Sequence, residues 1–515
     1  MAALASYTPL MGGIHAMVGW SRAQRRGARP PRRGLLAHAL FAASGLLAST
    51  ALLPGCSAQR YQPAPLSAEA SAAALESRSL SDPGLRSFED LHLGHTAREW
   101  PPSTWDFQSL SLAALYFSSE LDLARARVAE SRAALTTAGA RPNPTLGITP
   151  GIPSPYLLTL DLSFPFETAG KRRYRIESAQ SSVRAAQFDL AQAAWTVRNA
   201  VRAAMIDDIV ARRSVELIRS EAKTRQSQVE LSDRMAALGE ITHLQADAMR
   251  IELSKAHAAL GAAESQAAES RAALAAAIGI PSAALQEVRL SWPDMEIPPT
   301  AATLPIAEVR RTAVINRLDV RSALEKYSAA EADLRLQIAR QYPDIDIGPG
   351  YTYEEKRSYF TLGFSAAIPM FDRNRGPIAE AEAGRLKAAA VFLATQADVI
   401  SKSERSLAVY RVALEELAEA ARLKELTANR QRTVREAVNA GEEGRLELDD
   451  ADIEQLIAAR AELESVARAQ RALGDLEDAV QRPLTLGDQL PAGATIETLG
   501  QGPEGRLAEP PPSTR

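Results

Sequence analysis

Between Lys171 and Leu238 the chain carries neither glycine nor proline. Read as one helix, this run is about 100 Å long at 1.5 Å per residue. No globular core accommodates such a helix, so the chain must fold into something elongated. Gly239 interrupts the run. A second helical stretch follows from Thr242 to Ile278, with only Gly261 inside it, and Gly279 and Pro281 end it. Aromatic residues make up only 5 % of the 515 residues. An alanine-rich chain so poor in aromatics packs its helices through small side chains rather than around one thick core.

The same plan recurs downstream. "NPTLGITPG" (Asn143–Gly151) returns as "YPDIDIGPG" (Tyr342–Gly350), and "GEITHLQADA" (Gly239–Ala248) returns as "GRLELDDADI" (Gly444–Ile453). This second match sets Gly239 on Gly444, Ile241 on Leu446 and Asp247 on Asp452. The chain therefore reads as a tandem duplication in which each half is helix, β-hairpin, very long helix, tight turn, helix. The fold class is mainly α with a small β part. The first repeat is expected over 105–280, with Asp106 as a helix N-cap, and the second over 306–483. A Pro-rich linker at 281–305 joins them.

Each hairpin alternates with period two. Leu158, Leu160, Leu162 and Phe164 alternate with Thr159, Asp161 and Ser163, and Phe360, Leu362 and Phe364 alternate with Thr361, Gly363 and Ser365. Strands are expected over Tyr156–Phe164, Asp344–Tyr353 and Ser358–Ile368, with entering residues Leu146 and Ile148 doing the same. One apolar face per strand is the mark of half-buried strands, and alternation alone also fits two soluble hairpins packed on helices. The strand lengths suit a tilted bilayer crossing. Tyr156, Phe164, Phe166, Tyr351, Tyr353 and Tyr359 cluster near strand ends, as interfacial aromatics do. Four strands cannot close a barrel, and an open edge cannot sit in lipid. Several copies pooling their strands satisfy that constraint, and three give a cylinder with a bore.

The N-terminus reads as a targeting segment. Arg22, Arg25, Arg26, Arg29, Arg32 and Arg33 precede the apolar run Leu35–Leu53, and "LPGC" ends at Cys56, the single cysteine. A lipoprotein-type signal peptide over 1–55, with lipidation at Cys56, is the expectation. The alternative is an uncleaved anchor, since the run is just long enough to span a membrane. Met17 offers a second start. The stretch 56–104 is expected as an extended linker with His92 and His95 as loop residues, and 484–515 as a disordered tail. Two histidines fall short of a metal site. One cysteine excludes a disulfide framework. A net charge of −4 gives no electrostatic case for nucleic acid. No nucleophile elbow, P-loop, HExxH or dinucleotide fingerprint is present. Neither a cofactor nor a metal centre is expected, and the chain is not expected to be an enzyme.

On "FPFETAGKRRYRIESAQ" (Phe164–Gln180) and "IPMFDRNRGPIAEAEA" (Ile368–Ala383), the chain resembles TolC-type outer-membrane efflux channels, in particular their CzcC-like heavy-metal branch. Pro165 and Pro369 stand where strand becomes helix, where a missing N–H suits a chain leaving a ladder. Gly170 and Gly376 fit the re-aiming that follows. The resemblance implies a homotrimer with a twelve-stranded outer-membrane barrel on a twelve-helix periplasmic tunnel, with an equatorial domain. It implies the exit duct of a tripartite pump, partnered by a periplasmic adaptor and an inner-membrane RND pump, and exporting heavy-metal cations. The alternatives are a channel for drugs or other small organic molecules, or a lipid-anchored periplasmic coiled-coil adaptor. It assigns Gly239, Glu240, Ile241 and Thr242, with Gly444, Arg445, Leu446 and Glu447, to an adaptor-docking tip; ordinary helical turns are the plainer reading. Asp247, Asp449, Asp450 and Asp452 are candidates for a constriction ring of carboxylates; N-terminal helix capping explains the same residues.

Overall fold

The computed structural model describes residues 60–93, 99–151, 157–301, 304, 311 and 314–484. The leader with Cys56, His95, Tyr156, most of 302–313 and the tail beyond 484 lie outside the described residues. The chain divides at Pro65, and the architecture below is that of the unit from Leu66 onward.

Helices α1 (Ala68–Glu76) and α2 (Pro83–Leu93) come first. They correct the expected extended linker over 56–104. Leu85 and Phe88 on α2 are buried in the main apolar cluster, and burial of that stripe makes the segment helical. α3 (Phe107–Phe117) is capped by Asp106, whose Oδ1 accepts from the Ser109 amide at 2.8 Å. The expected continuous helix breaks at Ser118, which closes α3 and caps α4 (Ser119–Gly139) through its hydroxyl. A serine can end one helix and start another without Gly or Pro, because its side chain supplies the N-cap acceptor.

β1 (Thr145–Gly151) and β2 (Leu157–Phe166) form the first hairpin. Then comes α5 (Lys171–Ala237), 67 residues long, and α6 (His243–Ile278), which returns along it. Short 3₁₀ turns at Ser282–Leu285 and Pro293–Glu296 lead to the second half. There α7 (Leu318–Ala339), β3 (Ile345–Glu354), β4 (Arg357–Ala366), α8 (Arg375–Ala440) and α9 (Arg445–Val480) repeat the order of α4 to α6. Among the described residues no helix is long and apolar enough to cross a membrane.

The largest core wraps the middle of α5. Leu190, Ala194, Val197, Val201 and Met205 pack against α3 and against Leu274 and Ile278 of α6. Beside it lies a buried ionic group. The Arg198 and Arg202 guanidinium groups sit 3.6 and 3.7 Å from Glu477 Oε2, with all three side chains out of water. Arg202 also donates to the Gln470 carbonyl at 2.6 Å. Arg198 stacks between the rings of Phe107 and Trp195. Gly474 makes room, since a Cβ there would lie 2.7 Å from Arg202 Nη1. These contacts lock α5 of one repeat to α9 of the other.

Glu89 on α2 is a second buried acid. Burial, with Asp106 and Asp90 nearby, pushes its carboxyl up to about 8. His92, expected in a loop, is buried one helical turn on, its Nδ1 bonded to the Phe88 carbonyl at 2.7 Å. A carboxyl whose folded pKa lies above its unfolded value stabilises while both states are protonated, and that stability is lost as pH rises through the folded pKa. Stability should therefore fall from about pH 4.5 toward pH 8. Glu89→Gln should flatten that part of the profile and raise the melting temperature at pH 8. Melting curves from pH 5 to 9 that are parallel for the two proteins would contradict this.

Candidate functional site

The four strands make one antiparallel sheet in the order β1-β2-β3-β4. The two hairpins are thus joined through β2 and β3, although they lie far apart in sequence. The register sorts the side chains by face. Leu146 stands opposite Leu162, Ile148 opposite Leu160, Leu160 opposite Tyr351, Phe164 opposite Ile347, and Ile347 opposite Phe364. One face is therefore apolar across all four strands. The other face pairs Thr145 with Ser163, Gly147 with Asp161, Thr159 with Thr352, and Gly348 with Gly363. Glycines thin this polar face where backbones approach: a Cβ on Gly348 would lie 3.0 Å from the Leu162 carbonyl.

The apolar face is bare. Phe360 is 85 %, Leu362 62 % and Phe364 67 % exposed. Among the described residues β1 and β4 each pair on one side only. Glu355 and Lys356 both take left-handed φ at the β3–β4 turn, a two-residue connection matched to strand twist.

Where β2 becomes α5, the second repeat grips the first. The Thr168 amide donates to Asp344 Oδ1 at 2.9 Å and its hydroxyl to the Pro343 carbonyl at 2.6 Å. Lys171 Nζ, buried, reaches the Tyr342 carbonyl and Asp344 Oδ1, both at 2.7 Å. Arg175 pairs with Glu167 and donates to the Ala138 and Ala140 carbonyls at the end of α4. Pro165 lies one residue before the end of β2, and Gly170 turns the chain at φ 76°. At the second junction Pro369 stands beyond the end of β4, but Gly376 is an ordinary helical residue of α8. The left-handed residue there is Asn374, at φ 59°, whose side-chain amide donates to the Gln337 carbonyl at 2.7 Å. Asparagine tolerates this conformation better than other side chains, so the turn needs no glycine.

The two helical turns also correct the expected alignment. Gly239 is left-handed at φ 79°, and its counterpart is Gly441, at φ 77°. Both end a long helix with the same paired bonds: Glu240 N to Met235 O and Glu442 N to Ala437 O, each 2.9 Å. Gly444 is instead the N-cap of α9, the place Thr242 holds on α6, where Thr242 and Gln245 form a capping box. "GEIT" (Gly239–Thr242) therefore superposes on "GEEG" (Gly441–Gly444), and Asp247 matches Asp449 rather than Asp452. Glu240, Arg445 and the flanking Leu238 and Leu244 are exposed, while Ile241, Leu446 and Glu447 are half-buried. The exposed apolar knobs are thus two leucines that the sequence reading passed over.

The four aspartates do not share one surface. Asp247 is exposed and pairs with Arg250 at 2.8 Å. Asp450 is exposed and accepts from Gln228 Nε2 at 2.6 Å. Asp452 accepts from Gln431 Nε2 at 2.7 Å and pairs with Arg435. Asp449 is only 1 % exposed, 3.0 Å from Arg445. Burial raises its carboxyl pKa, with Arg445 opposing. Its side chain lies inside the helix packing, which removes it from the expected water-facing set: the i+4 partner Arg445 folds over it.

The family described as outer membrane efflux protein matches residues 113–280, the first repeat. The cobalt-zinc-cadmium resistance protein CzcC of Cupriavidus metallidurans is 25 % identical over 240 residues, 46 % of this chain and 56 % of that protein. The pyoverdine export outer membrane protein OpmQ of Pseudomonas aeruginosa is 25 % identical over 299 residues, 52 % of this chain and 62 % of that protein. The chain thus spans less than two thirds of the length of the curated relatives it matches. Among solved structures, the outer membrane protein VceC of Vibrio cholerae superposes with a TM-score of 0.60 at 18 % identity, over 74 % of this chain and 97 % of that one. Family match, relatives and fold point the same way: residues 113–280 match the outer membrane efflux proteins, a family of channels rather than enzymes, and the chain shares the fold of a solved outer membrane protein.

Proposed function

We propose that the protein is the outer-membrane channel of a tripartite efflux system and works as a homotrimer. The observation that carries this reading is the sheet, with one bare apolar face and two edges open among the described residues. Such a sheet is stable in lipid only when its edges are closed by further strands. Three copies supply twelve strands around a bore lined by the polar face. Helix α8 supports the assembly, because Leu386, Leu393, Ile400 and Val412 are exposed along it and await a neighbour. The paired long helices then continue the bore as a helical tunnel on the periplasmic side. Lipidation at Cys56, an adjoining lipid anchor and an adaptor meeting the turns at Gly239–Thr242 and Gly441–Glu447 complete this reading. An inner-membrane RND pump would supply the cargo.

For cargo we favour heavy-metal cations, on the similarity to CzcC. The equal similarity to OpmQ favours a second reading, a small organic molecule. A deletion strain separates them. Sensitivity to zinc, cobalt or cadmium that the intact gene reverses supports the first, and sensitivity confined to organic compounds supports the second.

Of the four candidate aspartates near the turns, Asp247, Asp450 and Asp452 are the ones in reach of water. In a trimer each becomes a ring of three, which concentrates cations at a narrow mouth. Purified protein in planar bilayers should show discrete channels. The Asp247→Ala/Asp450→Ala double variant should lose about half or more of any cation preference, while Asp449→Asn leaves it unchanged. Unaltered reversal potentials in the double variant would remove these carboxylates from the constriction.

A further inference from the structure

We propose that β4 of one copy docks on β1 of a second copy in the register that β2 and β3 use within one chain, and that Arg375 clamps the joint as Lys171 does inside the chain. The proposal rests on the trimeric barrel reading and adds which residues meet.

The duplication supplies the template. Lys171 and Arg375 open the long helices α5 and α8, directly after the left-handed residues Gly170 and Asn374. Pro165 precedes Gly170 by the same interval as Pro369 precedes Asn374. On the entering side, Leu146 and Ile148 of β1 correspond to Ile345 and Ile347 of β3, and Asn143 and Thr145 to Tyr342 and Asp344. Within the chain Phe164 pairs with Ile347, Pro165 with Asp346 and Phe166 with Ile345. Carried over, Ile368 of one copy faces Ile148 of the next, Pro369 faces Gly147, and Met370 faces Leu146.

Three independent features agree with this register. It sets apolar residues on apolar residues, which a shift by one residue would reverse. It explains why β4 stops short. β2 stays in the ladder through Phe166, held by β3, whereas β4 ends at Ala366, before the counterparts Ile368 and Met370. Those residues and Phe371 are 79 %, 71 % and 100 % exposed, as expected for a strand end whose partner belongs to another copy. Finally, Lys171 is buried and bonded to Tyr342 and Asp344, while Arg375 is exposed and has no ion pair among the described residues. Its target in the next copy is the Asn143 carbonyl and the Thr145 hydroxyl.

Paired cysteines test the register in the full-length protein. In this register Ala367 faces Thr149, both on the polar face. Opposite residues in antiparallel strands have Cα atoms about 4.5–5.5 Å apart, within the span that a disulfide bridges. The Ala367→Cys/Thr149→Cys variant, oxidised in outer membranes, should give crosslinked dimers and trimers. Ala367→Cys/Gly147→Cys and Ala367→Cys/Gly151→Cys, displaced along the strand, should give at least fivefold less. Single-cysteine variants control for Cys56. Preferential crosslinking of a displaced pair overturns the register while leaving the trimer standing. A protein that remains monomeric with every pair overturns the trimer itself. Separately, Arg375→Ala should lower the dissociation temperature of the oligomer by several degrees, and Arg375→Lys should restore most of it. An Arg375→Ala oligomer as durable as the native one overturns the clamp.

Discussion

Leu362→Arg should abolish assembly in the outer membrane, while Thr361→Arg, its immediate neighbour, should assemble normally. The two residues sit side by side on β4 but face opposite ways. Leu362 stands opposite Pro349 on the apolar face, and Thr361 stands opposite Gly350 on the polar one. An arginine facing lipid near the membrane midplane costs roughly 2–4 kcal/mol, and a trimer incurs that cost in every subunit. In the proposed barrel, an arginine on the polar face points into the bore and stays in water. Membrane fractionation and heat-modifiable trimer bands on gels read the difference. Equal assembly of the two variants would mean that the apolar face does not meet lipid. Equal failure would mean that β4 tolerates no bulk on either side.

The second large effect is expected far from the sheet. Glu477→Ala leaves the guanidinium groups of Arg198 and Arg202 out of water without their shared carboxylate. Removing one partner of a buried ion pair typically costs about 3–5 kcal/mol. A melting temperature lowered by about 5 °C or more follows. Glu477→Gln should fall in between, because Glu477 Oε1 also accepts from the Leu484 amide at 2.7 Å, and an amide oxygen can keep that bond. Differential scanning in detergent would read both variants. A shift below about 1 °C in Glu477→Ala would show that the carboxylate does not hold the repeats together.

The sequence by itself determined the plan of the molecule. The absence of Gly and Pro across Lys171–Leu238 fixed a helix of that length, and α5 spans Lys171–Ala237. Period-two alternation sorted Leu158, Leu160 and Leu162 from Thr159 and Asp161, and the register keeps them on separate faces. Both signals are local. A helix needs only an uninterrupted backbone, and a strand's faces follow from its own geometry.

What only the tertiary structure decided depends on contacts between segments far apart in sequence. Burial against α3 made α2 a helix where composition suggested a linker. The matched turn bonds at Gly239 and Gly441 set the repeat alignment, because short motifs align on letters while a turn aligns on its left-handed residue. Asn374 rather than Gly376 carries the second junction, since a polar side chain that finds an acceptor across the fold can occupy the left-handed region. Asp449 carries the same letters as Asp450, yet one lies inside the packing and the other in water. A helix presents successive residues about 100° apart, and what lies beyond each face is set by the neighbouring helices, which no local pattern records.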